Sequence, residues 1–393
     1  MIKDFYDVIV VGGGPAGSMA AIEISKSGYS VCILEKDRDI GMPVRCGEAI
    51  GYTGLNQFYK PKKSWIAAEL NGVDLISPNG IDVKINFKSE TGYILNRRVF
   101  DYDLSNIAVQ NGSEVYTKSY VEDLIIENGY VSGVIVNNLN KKIKVKSNIV
   151  IGADGIGSRI GRLAGIKTKV RMKDMESCIQ YSVSNININQ QKMRMYVGSK
   201  YAPGGYLWIF PKGDGKANIG LGISGKYSKS KSAQKYLDEF MMDNFPEVSI
   251  LTTVCGGVPC PKPMINPIND GIMLVGDAAH QINPMTGGGI ASGMSGGKIG
   301  GEIAVKALKA NDFSKSFLKK YPENIFKRFG NNHNRFYRIK EAVNQLTDDD
   351  LNYIANKASK IGTDKLTLSH IFKYAVYKKP SILVDVLKVF AGI

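Results

Sequence analysis

The chain has 393 residues, 44% of them hydrophobic, and carries a formal net charge of +15. This length can bury a large core in one composite domain or two modest ones, and the composition excludes a disordered chain. Five scattered cysteines without a CxxC pair argue against a disulfide framework and against zinc or iron–sulfur sites, so no metal site is predicted.

The N-terminal residues lack a basic leader with a cleavage site, and the chain has no run of 18 apolar residues. We therefore expect a cytoplasmic protein without an ordinary membrane-spanning helix. Residues 298–393 hold 18 Lys and Arg against 9 Asp and Glu. Such a surface fits an anionic membrane face, an acidic protein or simple solvation. Nucleic acid fits the charge, but no nucleic-acid-binding motif accompanies it, so no nucleic-acid partner is predicted.

The first predicted elements are a buried strand over residues 6–11, a helix to about residue 27 and a second strand over residues 29–34. Gly12, Gly14 and Gly17 between strand and helix fit GxGxxG, with Ala16 in the same turn. Gly12 permits the tight turn, Gly14 lets a pyrophosphate approach the backbone, and Gly17 lets helix and strand pack closely. Glu35 follows the second strand, where a carboxylate can bind a ribose diol. This order predicts a dinucleotide site rather than a plain structural turn.

Two later segments also place an acidic residue just after a predicted strand. An apolar run over residues 149–151 leads to Asp154, and another over residues 272–275 leads to Gly276 and Asp277. Ligands of open α/β sheets bind at the carboxyl ends of the strands. Each segment alone is also compatible with a turn followed by a capped helix.

The rest of the chain alternates strand-like and helical regions. Short apolar runs separated by turns over residues 121–150 predict a meander, and residues 180–223 contain further strand-like runs. After Gly287 the pattern is helical, with separators at Asn311, Thr347 and Pro380. The acidic run over residues 348–350 fits a helix N-terminus better than a metal site. His333 and His370 lie in basic helical segments and are expected to face solvent.

Together, the glycine motif and the two acidic segments resemble the DG and GD motifs of FAD-dependent enzymes of the para-hydroxybenzoate hydroxylase and geranylgeranyl reductase superfamily. The resemblance implies an α/β fold, α+β overall, with a Rossmann-like FAD-binding domain over residues 1–60, 92–170 and 260–310. It implies an inserted antiparallel-sheet catalytic domain over residues 61–91 and 171–259, and a C-terminal helical region over residues 311–393. In this family the GD motif contacts the ribityl and pyrophosphate region of FAD, and the DG motif supports the cofactor.

The segment Pro43-Val44-Arg45-Cys46-Gly47-Glu48, with Gly92-Tyr93-Ile94-Leu95-Asn96-Arg97 and Phe100-Asp101, looks like archaeal geranylgeranyl reductase. Residues 284–290 resemble the turn and helix N-terminus that face the isoalloxazine. The resemblance therefore extends the predicted FAD-binding residues to Arg45, Cys46, Gly47, Ala49, Arg97, Val121, Gly276, Gly288, Gly289 and Ile290. Arg98 is an alternative to Arg97.

Cys46 has three interpretations. It is a covalent nucleophile, with His280 as a base that could approach in space, or a low-pKa thiol beside Arg45, or a small polarizable group that abuts the flavin and sets the substrate position. The resemblance favours the third. His280 itself fits a helix-entry residue that bonds nearby backbone better than a catalytic base.

The segment Tyr206-Leu207-Trp208-Ile209-Phe210-Pro211, followed by Gly220-Leu221-Gly222, resembles the YxWxFP...GxG pattern in the lipid cavity of geranylgeranyl reductases. Strand alternation sends Tyr206, Trp208 and Phe210 to one face. An aromatic ladder in an ordinary core is the alternative. The resemblance makes these three residues, with Cys46, the predicted catalytic group, because electron-rich rings stabilise developing positive charge.

The function implied by the resemblance is reduction of geranylgeranyl double bonds in archaeal membrane lipid precursors, by hydride transfer from reduced flavin plus protonation. The sequence identifies no acid. An external electron donor is expected, such as NADPH, ferredoxin or another carrier, together with peripheral association with the inner membrane face. Alternatives are a reductase of another prenyl group of menaquinone or chlorophyll type, a flavin monooxygenase, an electron-transfer flavoprotein and a lipid-binding protein without a cofactor.

Overall fold

The computed structural model describes residues 1–87, 91–363 and 365–390, and its mixture of sheets and helices confirms the α/β class. Its strands in chain order are β1 (Phe5–Val11), β2 (Val31–Leu34), β3 (Ala49–Gly51), β4 (Ile66–Leu70), β5 (Gly72–Ile76), β6 (Asp82–Asn86), β7 (Gly92–Leu95), β8 (Glu114–Tyr116), β9 (Ser119–Glu127), β10 (Tyr130–Asn138), β11 (Lys141–Gly152), β12 (Met175–Ser184), β13 (Lys192–Val197), β14 (Tyr206–Gly213), β15 (Lys216–Ser224), β16 (Ser249–Pro259), β17 (Ile268–Asn269) and β18 (Ile272–Leu274).

The α-helices are α1 (Pro15–Lys26), α2 (Tyr52–Asn56), α3 (Arg97–Gln110), α4 (Arg159–Leu163), α5 (Ala233–Asn244), α6 (Ile290–Ala310), α7 (Lys315–Leu318), α8 (Lys320–Ile325), α9 (Asn331–Val343), α10 (Asp348–Ser359), α11 (Leu368–Lys378) and α12 (Leu383–Phe390).

The chain divides into two compact units. The first contains Met1–Val44, Arg97–Lys169 and Lys262–Asn334, and the second contains Arg45–Asn96, Val170–Pro261 and Arg335–Ile393. The predicted FAD-binding segments instead included residues 45–60 and 92–96, which lie in the second unit, and residues 311–393 were predicted as a separate region. The assignment of particular segments to cofactor and substrate stays a prediction.

An eight-stranded sheet organises the first unit. Its path is β17-β18-β11-β1-β2-β8, and β10 adds to β11 and β9 to β10. The pairs β18/β11, β11/β1, β1/β2 and β2/β8 are parallel, so the carboxyl ends of these strands meet at one edge. Gly12, Glu35, Asp154 and Asp277 all follow strands at that edge, which is where ligands of such sheets bind.

A seven-stranded sheet in the order β16-β12-β15-β14-β13-β5-β6 forms the frame of the second unit, beside a three-stranded sheet β3-β7-β4. Its pairs are antiparallel except β13/β5. One face carries buried apolar side chains that pack with α5, including Leu207, Ile209 and Leu221 against Leu237 and Phe240. Because side chains alternate along a strand, the residues between them belong to the opposite face.

The helix boundaries predicted in the C-terminal part are confirmed. Asn311 ends α6 in the left-handed conformation, and Pro380 follows the end of α11. Thr347 begins α10 with a capping box, in which its hydroxyl accepts from the Asp350 N–H and the Asp350 carboxylate accepts from the Thr347 N–H. The acidic run therefore serves a helix N-terminus.

The expectation that His333 faces solvent is wrong. Its side chain is buried, and the ring centroid lies 4.9 Å from that of Phe329. Burial lowers the pKa of His333 to about 4, so the ring is neutral at physiological pH. His370 is half-buried, and its Nδ1 lies 2.8 Å from the Thr367 hydroxyl.

A buried carboxylate attaches α9 to the large sheet of the second unit. Asp174 is 1% exposed and accepts from the Tyr337 hydroxyl at 2.9 Å and from Lys340 Nζ at 3.2 Å. Burial alone would raise the pKa of Asp174, but the Lys340 charge and the hydrogen bonds from Tyr337 and Arg171 hold it below its usual value. Lys340 also donates to the Cys260 carbonyl at 2.7 Å, which completes the attachment.

Candidate functional site

The glycine-rich turn of the first unit combines close packing with open space. Gly12 has a φ of +110°, and a Cβ there would lie 2.4 Å from the Ala153 carbonyl oxygen. A Cβ on Gly17 would lie 2.0 Å from the Gly12 carbonyl oxygen. A Cβ on Gly14, in contrast, would meet nothing within 4 Å. The first two glycines are thus required by the fold, whereas Gly14 keeps free the space that a pyrophosphate needs.

Glu35 is held in place by backbone donors at the end of β2. Its carboxylate accepts from the N–H groups of Gly13 and Asp37, both at 2.8 Å. A carboxylate can accept about four hydrogen bonds, so acceptor capacity remains for the two hydroxyls of a ribose. The position fits the ribose-binding role predicted from the sequence.

A stripe of glycines on α6 lets that helix contact α1 directly. A Cβ on Gly297 would lie 2.0 Å from the Ala16 carbonyl oxygen, and one on Gly301 would lie 2.7 Å from that of Ala20. Because the contacts advance along both helices together, α1 and α6 run in the same direction. Their N-termini, the ends with positive dipole charge, therefore lie at the same end of the pair and favour an anionic ligand. The resemblance implied a role for the N-terminus of α6, whereas no role was predicted for this stripe.

Two acidic residues of the first unit, Asp154 and Asp277, have surroundings that raise their pKa values. Asp154 accepts from the Ile160 N–H at 3.0 Å through Oδ2, while its Oδ1 is buried without a hydrogen-bond partner in the described residues. Burial raises the pKa of Asp154, and it raises that of Asp277 to about 6, opposed by the charge of Arg97. Such groups favour a polar ligand that can donate hydrogen bonds to them.

Arg97 and Arg98 are distinguished by their contacts. Arg97 makes a bidentate ion pair with Asp101, with both N–O distances 2.7 Å, and its charge acts on Asp277. Arg98 is exposed. The structure therefore favours Arg97 as the arginine of the predicted cofactor site.

Other residues of the first unit that were predicted to bind FAD are also closely packed within the unit or lie at the start of α6. A Cβ on Gly276 would lie 2.8 Å from the Cβ of Ala16, and one on Gly289 would lie 3.3 Å from Asp277 Oδ1. The side chain of Val121 is 3% exposed. Gly288 and Gly289 directly precede α6, which begins at Ile290.

His280 is a structural residue. It is buried, and its Nε2 donates to the Thr168 carbonyl at 3.2 Å. Burial lowers its pKa. His280 thus bonds backbone as interpreted, but it ends the 3₁₀ turn Gly276–Ala279 and does not enter a helix.

Taken together, the open space at Gly14, the ribose-binding geometry of Glu35, the paired helix N-termini and the unpartnered Asp154 oxygen fit FAD. Gly12, Gly14 and Gly17 with α1 would hold its pyrophosphate, and Glu35 its adenosine ribose. None of the described residues forms a cluster of three or more His, Cys, Asp or Glu suited to a metal ion.

In the second unit, the three predicted aromatic side chains share one face of the large sheet. The ring centroids of Tyr206 and Trp208 are 5.8 Å apart, and those of Trp208 and Phe210 are 6.1 Å apart. Residues directly opposite in the ladder share a face, and Gly220 and Gly222 separate these rings from Gln180 and Cys178 on β12. We call this surface the aromatic face; its residues are Glu176, Cys178, Gln180, Tyr206, Trp208, Phe210, Gly220 and Gly222.

The loop that contains Cys46 lies against the aromatic face. Gln180 connects them, because its Nε2 donates to the Cys46 carbonyl at 3.1 Å and its Oε1 accepts from Trp208 Nε1 at 3.0 Å. A Cβ on Gly47 would lie 2.8 Å from the Phe210 ring. The Cys46 thiol accepts from the Glu48 N–H at 3.2 Å. The structure thus brings Cys46 to the rings predicted to act with it.

A buried ion pair fixes this loop to the sheet. Glu48 has a φ of +72°, and its Oε2 accepts from Lys212 Nζ at 2.5 Å and from Asn218 Nδ2 at 2.6 Å. Lys212 also donates to the Leu95 carbonyl at 2.8 Å. The side chains of Glu48 and Lys212 are 7% and 20% exposed. The pair holds Glu48, two residues after Cys46, in a left-handed backbone conformation that is strained for a residue with a side chain.

No role was predicted from the sequence for Gln180, Lys212 or Asn218, or for the side chain of Glu48. A signal was present for Gln180, because Gln180 and Ser182 alternate with the apolar or aromatic residues Ile179, Tyr181 and Val183 in β12. No local signal pairs Glu48 with Lys212, because 164 residues separate them.

The chain matches two protein families: the geranylgeranyl reductase catalytic domain over residues 174–258, and an NAD(P)-binding Rossmann-like domain over residues 10–59. It is 40% identical over 389 residues to a digeranylgeranylglycerophospholipid reductase of Methanocella arvoryzae, covering 98% of this chain and 99% of the relative. A solved geranylgeranyl bacteriochlorophyll reductase-like protein of Thermoplasma acidophilum superposes with a TM-score of 0.92 at 35% identity, covering 98% and 99% of the two chains. A halogenase solved in complex with FAD shares the fold, with a TM-score of 0.68 at 16% identity and coverage of 98% and 85%.

Proposed function

This chain belongs to the digeranylgeranylglycerophospholipid reductase family, and on that premise we propose that it saturates the geranylgeranyl chains of an archaeal-type membrane phospholipid precursor. It is an FAD-dependent oxidoreductase of the geranylgeranyl reductase type. The observation that carries the choice of substrate is the aromatic face, whose strands β12, β14 and β15 lie within the segment matched to the catalytic domain.

FAD, once reduced, supplies a hydride. An isolated prenyl double bond is not polarised, so protonation of one carbon develops positive charge on the other carbon, which then receives the hydride. We propose that the rings of Tyr206 and Trp208 stabilise this charge, since each cation–π contact contributes roughly 0.5–2 kcal/mol depending on desolvation. The apolar rings also exclude water from a bound chain. Phe210, which is 7% exposed, packs against the Trp208 ring and against the loop that contains Cys46.

The proposal is tested by incubating dithionite-reduced protein with unsaturated digeranylgeranyl phospholipid and measuring lipid mass. We expect a gain of two hydrogens for each double bond reduced, without oxygen dependence. Dithionite makes the result independent of the physiological electron donor. Reduction of a prenylated chlorophyll or menaquinone but not of the phospholipid would reassign the substrate, and absence of any mass gain would refute the function.

We propose that Cys46 abuts the flavin and sets the position of the substrate. Gln180 donates a hydrogen bond to the Cys46 carbonyl and so fixes the backbone of this residue. This bond does not involve the thiol, so replacing the thiol should leave the backbone in place. We expect Cys46→Ala to retain FAD but to change turnover or the set of double bonds reduced. Lipid mass spectra at partial conversion measure this, with Cys32→Ala, a buried residue of the first unit, as a control for loss of packing. An unchanged rate and product distribution would contradict the proposal.

We also propose that α12 docks on an anionic bilayer. Its residues Leu383, Val384 and Leu387 are 46%, 60% and 60% exposed, whereas Val386 and Asp385 face inward and Asp385 is bound by Arg338. Residues 351–393 hold seven Lys against two Asp. Exposed apolar side chains next to lysines are suited to the surface of an anionic membrane. No helix in the described residues is long and apolar enough to cross a bilayer.

Replacing Val384 and Leu387 by Glu should weaken binding to phosphatidylglycerol vesicles by about tenfold or more, because each buried aliphatic side chain contributes about 1.5–3 kcal/mol. Cosedimentation measures the effect. Ile126→Glu is a matched control, since Ile126 is 54% exposed on a strand of the first unit. Equal binding by the double variant and the wild type would argue against docking through α12.

A further inference from the structure

One carboxyl group on the aromatic face has no role in the chemistry described above. Glu176 lies on β12, two residues before Cys178, and its Oε2 is buried without a hydrogen-bond partner in the described residues. Because Gly205 and Gly222 have no side chains, they leave room for the Glu176 side chain. A Cβ on Gly205 would lie 3.3 Å from Glu176 Oε2, and one on Gly222 would lie 3.6 Å from Glu176 Cβ.

This carboxyl group lies beside the first ring of the aromatic face. Cys178 pairs with Gly222, and Gly222 pairs with Tyr206, so the side chains of Glu176, Cys178 and Tyr206 share one end of the face. Gly205, at which an added Cβ would lie 3.3 Å from Glu176 Oε2, directly precedes Tyr206. The pKa of Tyr206 is raised by burial and further by the charges of surrounding groups, Glu176 among them. The carboxyl group is therefore within electrostatic reach of the proposed site of reduction.

The surroundings of Glu176 favour its protonated form. Burial raises its pKa to about 7, with Asp174 acting in the same direction and Lys340 and Lys226 in the opposite direction. An ionised oxygen that is buried without a donor costs more free energy than a protonated one. The titratable and charged groups that face it come from its own strand and from the elements packed nearby: Asp174, Cys178, Tyr206, Lys226 and Lys340.

Reduction of a double bond consumes one hydride and one proton. We propose that the carboxyl group of Glu176 supplies that proton, an inference that rests on the proposed function. The carboxyl O–H bond breaks and its electron pair stays on oxygen, while the π electrons of the double bond form the new C–H bond. The other carbon receives the hydride, with its electron pair, from the reduced cofactor, which is thereby oxidised. Solvent water then returns a proton to the carboxylate.

Glu176→Gln tests the proposal, because the amide keeps the volume of the side chain but carries no acidic proton. The protein is reduced with dithionite, mixed with the prenyl phospholipid and followed through a single turnover at pH values below and above 7. In the wild type we expect the rate to fall as the pH rises through about 7, because the acid form is the donor. The variant should be slower by about 100-fold, the scale of a general acid, and should lose this pH dependence.

Two controls separate proton supply from structure. Glu69→Gln removes an exposed carboxylate of β4 in the same unit and should behave as the wild type. FAD content and the unfolding midpoint of Glu176→Gln should also match the wild type. Infrared spectra of the protein without substrate provide a readout that needs no activity: a carboxylic C=O band should titrate near pH 7 in the wild type and be missing in Glu176→Gln.

The outcomes distinguish this inference from the proposed function. A wild type that reduces no prenyl lipid refutes the function and the inference together. If the wild type reduces the phospholipid and Glu176→Gln does so at an equal rate with an equal pH profile, only the inference is refuted. Absence of this carboxylic C=O band from the wild type at pH values below 7 also contradicts it, because the carboxyl group would then be ionised throughout.

Discussion

Lys212→Met should destabilise the protein by about 3–5 kcal/mol, the cost of leaving one member of a buried ion pair without its partner. Glu48 would remain in a site where its side chain is 7% exposed, with the Asn218 amide as a remaining donor. The Leu95 carbonyl would lose its bond from Lys212 as well. Urea unfolding of the FAD-loaded protein measures the change. Because Glu48 carries the N–H that binds the Cys46 thiol, we also expect slower lipid reduction at temperatures where the variant is folded.

The double variant Glu48→Gln, Lys212→Met separates an unpaired charge from lost packing. Removing both charges should recover much of the stability, since the buried carboxylate is then absent. Lys216→Met is the matched control, because Lys216 is an exposed lysine at the start of β15 in the same sheet. A Lys212→Met variant as stable as Lys216→Met would show that the pair contributes nothing measurable.

Gly14→Leu should weaken FAD binding by at least about 100-fold, because a side chain there occupies the space of the pyrophosphate. Loss of two hydrogen bonds to a charged group, at about 1.5–3 kcal/mol each, corresponds to this factor or more. The fold should tolerate the change, since Gly14 has an extended backbone and a Cβ there would meet nothing within 4 Å. Flavin absorbance of the purified protein and fluorescence titration of the apoprotein with FAD measure the effect.

Two comparisons make this result specific. Gly362→Leu places the same side chain at another glycine with open space and should leave FAD binding unchanged. Gly17→Ala should instead lower the unfolding temperature of the apoprotein, because its Cβ would lie 2.0 Å from the Gly12 carbonyl oxygen. Gly14→Leu with wild-type FAD affinity would remove Gly14 from the cofactor site.

Local patterns predicted the nucleotide-binding elements closely. The expected strand over residues 6–11 is Phe5–Val11, and the expected helix to residue 27 is Pro15–Lys26. The prediction was less complete for residues 149–151, which are the end of a strand that spans Lys141–Gly152. The first half of that strand pairs antiparallel with β10, and the second half is a buried parallel strand beside β1. Its two halves show different patterns of burial, so a single hydrophobic period does not describe them.

The resemblance of the sequence motifs implied the FAD-dependent family. Local patterns alone predicted the dinucleotide-binding turn and the shared face of Tyr206, Trp208 and Phe210. These depend on interactions between neighbours in the chain: turn chemistry at glycines, the helical and strand periods, and motif spacing. The tertiary contacts, in contrast, show that Gln180 joins Cys46 to Trp208, that Lys212 neutralises Glu48, and that a carboxyl oxygen of Glu176 is buried at the Tyr206 end of the aromatic face. These contacts join strands and loops distant in sequence, and their energies depend on burial and ladder register, which local composition does not encode.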